Sequence, residues 1–72
     1  MENQIPTVKK TNLTFIEAFE FMLAGKMIYR LEWGNDDYCF TNDGWVSINR
    51  NGNTNRWIIN DGDYEANDWQ YR

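Results

Sequence analysis

The sequence predicts an α+β domain in which one short N-terminal helix packs on a small twisted antiparallel sheet of about four to five strands. Three observations carry this expectation. One apolar stripe with helical spacing lies between Thr14 and Gly25. Short runs rich in strand formers follow it, and Asp43-Gly44 and Asn51-Gly52 separate three of those runs with the dipeptides that favour tight hairpin turns. The stretch Trp57 to Trp69, an acidic Gly-containing turn bracketed by two tryptophans, closes the pattern and sets the question of what those rings face.

Residues 1–13 are polar, hold the only proline, Pro6, and carry Lys9-Lys10. They read as an arm or an added edge strand preceding a single domain, residues 14–72. Thr14 followed three residues later by Glu17 is a capping box, in which each side chain accepts from a backbone N–H that the first helical turn leaves unpaired. Phe15, Ala18, Phe19, Met22 and Leu23 then form one apolar stripe, the face that packs on the sheet. Gly25 ends the helix as a left-handed residue.

Met27 to Leu31 alternates as a strand, with Met27, Tyr29 and Leu31 on one face and Ile28 and Arg30 on the other. Trp33 to Asp37 reads as a loop. Tyr38–Thr41, Trp45–Arg50 and Asn53–Ile59 form a meander around the two turns, and 67–72 supplies a closing strand. Trp33, Trp45, Trp57 and Trp69 stand twelve residues apart, but their neighbours share nothing. The period is that of a strand plus a turn, and too few copies exist for a solenoid.

Composition restricts the chemistry. In 72 residues a core rarely supplies more than about 3–5 kcal/mol of net stability. Cys39 is the sole cysteine and there is no histidine, so neither a disulfide nor a zinc staple adds support; self-association is the remaining common route. An aromatic content of 17% also exceeds what so small a monomer readily covers, which places some rings at an interface or in a pocket. The formal net charge of −4 argues against DNA or RNA polymers, whose affinity comes mainly from Lys and Arg. No run reaches the roughly 18 apolar residues that span a bilayer, and Met1-Glu2-Asn3-Gln4 lacks the order of a signal peptide. The expected place is the cytoplasm.

The carboxylates Asp61, Asp63, Glu65 and Asp68 do not match a calcium loop, which needs fixed oxygen ligands between two helices. Asp63 and Asp68 are expected to cap turns. Without histidine, and with Cys39 inside a strand, an enzyme is disfavoured; no metal or cofactor is expected. Binding is the better class. Trp33 and Trp57 are flat faces on which a base can stack, and Arg30, Arg50 and Arg56 are the guanidinium groups that match phosphate. Asn35 and Asn55 can hydrogen-bond a base or ribose. The competing roles are ordinary ones: arginines pairing with Asp and Glu, asparagines shaping turns.

Thr14-Phe15-x-Glu17-Ala18 through Gly25-Lys26, then Arg30-x-x-Trp33, and finally Trp57-x5-Asp63-x2-Ala66-x-Asp68-Trp69 resemble the small phage-encoded Thoeris anti-defence family, specifically its second described type. The similarity covers residues 14–72. It implies a non-enzymatic sponge that captures a cyclic nucleotide immune signal, a cyclic ADP-ribose isomer or a cyclic oligonucleotide, and so silences the downstream effector. It also implies a homotetramer, a dimer of dimers with ligand pockets between protomers, in the cytoplasm of the infected bacterial host. Carried onto this chain, it makes Trp33 a base-stacking wall with Asn35 beside it, Trp57 a second wall, and Arg30 a phosphate partner. Asp63 then holds the turn, and Ala66 and Trp69 belong to packing.

Two alternatives stand beside the sponge. One is a protein-binding inhibitor of a host defence enzyme such as a CRISPR nuclease, with an acidic surface and exposed tryptophans docking on a basic patch. The other is a purely structural module.

Overall fold

The computed structural model describes residues 11–34 and 36–72. The expected arm therefore lies mostly outside the described residues, as does Asn35. A helix α1 (Phe15–Leu23) is followed by strands β1 (Ile28–Arg30), β2 (Tyr38–Asn42), β3 (Trp45–Arg50) and β4 (Asn53–Arg56), a one-turn helix α2 (Asp61–Glu65) and strand β5 (Trp69–Tyr71). The five strands make one open antiparallel sheet in the order β4-β3-β2-β1-β5. This is the small α+β architecture that the sequence predicts.

The start of α1 is fixed by the expected capping box. Thr14 Oγ1 accepts from the Glu17 amide at 3.2 Å, and Glu17 Oε1 accepts from the Thr14 amide at 2.9 Å. Gly25, at a φ of 103°, ends it. Phe15, Ala18 and Met22 are buried and Phe19 is half-buried, whereas Leu23, one step further round the stripe, is 61% exposed. Its place is taken by Phe21, whose ring stacks 4.0 Å from Tyr71.

Both hairpin turns have the positive φ values their dipeptides favour: 51° and 85° at Asp43 and Gly44, 54° and 82° at Asn51 and Gly52. The resulting register lines Tyr71, Ile28, Cys39 and Ile48 across one row of the inner face. In β1 the inner face is that of Ile28 and Arg30, while Met27 and Leu31 are 40% and 63% exposed. Alternation alone makes the Met27, Tyr29, Leu31 face look the more apolar; α1, packed against β1, β2 and β5, covers the other one.

Three elements differ from the sequence expectation. Strand β4 stops at Arg56 rather than running on to Ile59; Trp57 keeps the inward alternation of Asn53 and Asn55, and its amide still donates to the Val46 carbonyl at 2.9 Å. The acidic turn is a short helix, because Asn60 and Asp63 form a second capping box: Asn60 Oδ1 accepts from the Asp63 amide at 2.9 Å, and Asp63 Oδ2 from the Asn60 amide at 3.2 Å. Leu13 joins the domain. It is 1% exposed and pairs with Trp69 alongside β5.

Trp69 is the centre of the core. It is fully buried, with Phe15 and Trp33 edge-on at 5.9 and 5.2 Å and Trp57 tilted at 5.8 Å. Its indole N–H donates to the Asp63 carbonyl at 3.1 Å, which ties α2 to the sheet.

Cys39 is fully buried on the inner face, and burial pushes its thiol well above the ordinary value. Native protein is therefore expected to resist alkylation until it unfolds. The sign for stability follows: the folded thiol stays protonated while the unfolded one ionises above about pH 8.5, so stability is full below that pH and falls as pH rises through it, by up to ~1.4 kcal/mol per pH unit. Urea titrations at pH 7.5 and 9.5 check this, and a Cys39→Ala variant should lose that part of the pH dependence.

Candidate functional site

Helix α1 does not reach β3 or β4, so their inner face has no helical roof. Between that face and the Trp57–Asp63 segment runs a cleft of about 310 Å³, lined by Ile48, Arg50, Asn55, Arg56, Trp57, Ile58, Asn60 and Asp63. The order of its walls follows from the register, in which Ile48 faces Asn55 and Arg50 faces Asn53.

Two of the five residues expected to form the site, Trp57 and Asn55, meet in this cleft. Trp57 is 5% exposed, its ring held edge-on to Phe15 at 5.9 Å, so it contributes a narrow apolar margin rather than an open stacking face. That corrects its expected role as a free wall. Asn55 is exposed on β4 and its amide has no side-chain hydrogen bond among the described residues.

Trp33 is half-buried outside the cleft, packed on Trp69, and the Arg50 guanidinium carbon lies 5.5 Å from its ring centre. Arg50 therefore links Trp33 to the cleft that it lines. Its one ion pair among the described residues is loose, Nε to Asp37 Oδ2 at 3.8 Å, and its side chain is half exposed. Such a guanidinium can turn to an incoming anion with little loss.

Arg30 is not available to phosphate. Its Nε donates to Asp68 Oδ1 at 2.9 Å and its Nη1 lies 3.1 Å from Glu32 Oε2, with only 17% of the side chain exposed. The hydrogen bond to Asp68 raises the Arg30 pKa, against a smaller lowering by burial. Asp68 thus pairs with Arg30 instead of capping a turn, while Asp63 does cap one as expected. An Arg30→Gln variant should lose about 1–3 kcal/mol of stability by leaving Asp68 without its charged donor, and bind any cleft ligand as the parent does; thermal melts and equilibrium dialysis separate the two effects.

Asn60 and Ile48 were not legible as site residues. The Asn60-x-x-Asp63 spacing was the available signal, a capping box masked by Gly62 inside the helix it opens. Among the described residues, no group of three or more acidic or sulfur side chains is placed to hold a metal ion, and no helix is long and apolar enough to cross a membrane. No protein-family model and no curated protein matches the chain.

Proposed function

We propose that the chain is a non-enzymatic anti-defence protein that binds and sequesters a cyclic nucleotide immune signal in the cytoplasm of an infected bacterium. The observation that carries this reading is the cleft: Arg50 and Asn55, a weakly paired guanidinium and an unbonded amide, beside the apolar margin of Trp57. This set suits a phosphate and the polar edge of a base or ribose. Its carboxylate, that of Asp63, is engaged in capping α2 through Oδ2, and the buried thiol of Cys39 is outside it. The resemblance of residues 14–72 to Thoeris anti-defence proteins of the second type supports the same class.

Self-association completes the reading. Ile58, at the rim of the cleft, is 83% exposed and Ile59 beside it 38%. A second copy seated on these residues would bury them and close the cleft, as expected for pockets between protomers of a dimer of dimers. The test is to mix purified protein with cyclic ADP-ribose isomers and cyclic dinucleotides, remove free ligand by filtration, and heat. Release of intact ligand supports sequestration; cleaved product means an enzyme, and an empty filtrate for every candidate overturns the reading.

The second reading, a protein-binding inhibitor of a host defence enzyme, draws on Ile16 and Leu23, which are 55% and 61% exposed on α1 beside the exposed Glu20. Native mass spectrometry of protein recovered from infected cells distinguishes the two. A sponge carries a small-molecule mass, an inhibitor a stoichiometric protein.

A further inference from the structure

The outer face of the sheet differs in charge from the rest of the molecule. No strand contains an aspartate or glutamate, although the chain as a whole is at −4. The carboxylates of the described residues sit on the two helices and the loops. The register places Asn42 opposite Trp45, and Ser47 between Phe40 and Arg56, all on the face away from α1. Large side chains thus surround a small one, and a cleft of about 270 Å³ lies over Ser47, lined by Asn42, Trp45, Thr54, Arg56 and, at the strand edge it shares with the inner cleft, Asn55.

Three features of this cleft ask for a ligand. Ser47 is 6% exposed, yet its hydroxyl has no hydrogen-bond partner among the described residues, which is uncommon for a buried polar group. The Arg56 guanidinium carbon lies 4.0 Å from the centre of the Trp45 ring, and among the described residues no carboxylate pairs with it. Stacking satisfies the face of a guanidinium but leaves its N–H edge free to donate. Finally, Trp45 remains 56% exposed, so part of its ring is open to a second flat partner. Thr54 is not a further donor, because its hydroxyl already donates to Asn49 Oδ1 at 3.2 Å, and Asn49 is held in turn by the Asp36 carbonyl at 3.0 Å.

The geometry points to a second binding site on the outer face, separate from the cleft of Arg50 and Trp57, that takes an oxyanion carried on a single flat ring. Arg56 and the Ser47 hydroxyl hold the oxyanion, the Asn42 amide adds a donor, and the ring lies against Trp45. A volume below the roughly 300–1,000 Å³ of drug-sized pockets limits the ligand to about one ring. The oxyanion is a phosphate or a carboxylate, which share this donor set.

Phenyl phosphate, benzoate, inorganic phosphate and uncharged benzyl alcohol, titrated separately into ¹⁵N-labelled protein, test the site. Phenyl phosphate or benzoate should saturate with a Kd on the order of 1 mM, shifting the amides of Asn42, Ser47 and Arg56 and quenching indole fluorescence. Whichever of the two binds more tightly identifies the oxyanion. Inorganic phosphate should bind more weakly for lack of the ring, and benzyl alcohol not at all. Arg56→Gln should weaken binding roughly tenfold or more. Because Arg56 also borders the inner cleft, Trp45→Leu, which alters the outer face alone, should weaken it as well, while Arg50→Gln should leave it unchanged. Titrations that do not saturate, that move the inner-cleft amides instead, or that are unaltered in both Arg56→Gln and Trp45→Leu overturn the assignment. None of these outcomes depends on whether cyclic nucleotides bind.

Discussion

Replacing Trp69 by alanine is expected to leave the domain unfolded at room temperature. The indole is fully buried and touches the rings of Phe15, Trp33 and Trp57, which belong to the helix, the loop after β1 and the segment after β4. Truncating a buried Trp to Ala costs about 3–5 kcal/mol, which equals the whole net stability that a single core of this size supplies. The variant also removes the donor to the Asp63 carbonyl, a side-chain tie between α2 and β5. Near-ultraviolet circular dichroism and urea unfolding check this. A cooperative transition within 1 kcal/mol (about the worth of one hydrogen bond) of the parent would show that Trp69 is not the keystone of the core. Trp69→Phe should be intermediate, because it keeps most of the apolar volume and loses the N–H donor.

On the proposed function, Arg50→Gln is expected to weaken capture of a cyclic nucleotide by roughly tenfold to a hundredfold, the worth of one hydrogen bond to a charged group. Arg50 lines the cleft and, among the described residues, carries only a long ion pair, to Asp37. Half exposed as it is, its loss should alter the melting temperature little, so binding and stability separate cleanly. Isothermal titration of parent and variant against the ligand recovered by heat release provides the number. Equal affinities would remove Arg50 from the site and leave Asn55 and Trp57 without their phosphate partner.

These two effects show how unevenly the sequence exposes its own design. The start of α1 and both hairpin turns could be read directly, because a capping box and an Asx-Gly turn are settled by side chains within four residues of one another. Helix α2 obeys the same local rule through Asn60 and Asp63 but was obscured by its single turn and Gly62. The site was legible in part. Trp57 and Asn55 line one cleft together with Arg50, one of the arginines suited to phosphate, though Trp57 is buried rather than open, and nothing local shows that Arg30 is engaged with Asp68, 38 residues away.

What the sequence by itself determined, then, is the start of α1, the order of the strands and the two hairpin turns, of which the helix start and the turns rest on interactions between near neighbours. What only the tertiary structure decided is which way each side chain faces and which charges remain available. Ile28 is buried and Leu31 exposed because α1 lies on one side of β1, and Trp57 is a core ring rather than an open wall because the rings of Phe15 and Trp69 pack against it. A strand has two faces of equal backbone geometry, so alternation sorts residues into two sets without saying which set is inside. That choice belongs to the element packed against the strand.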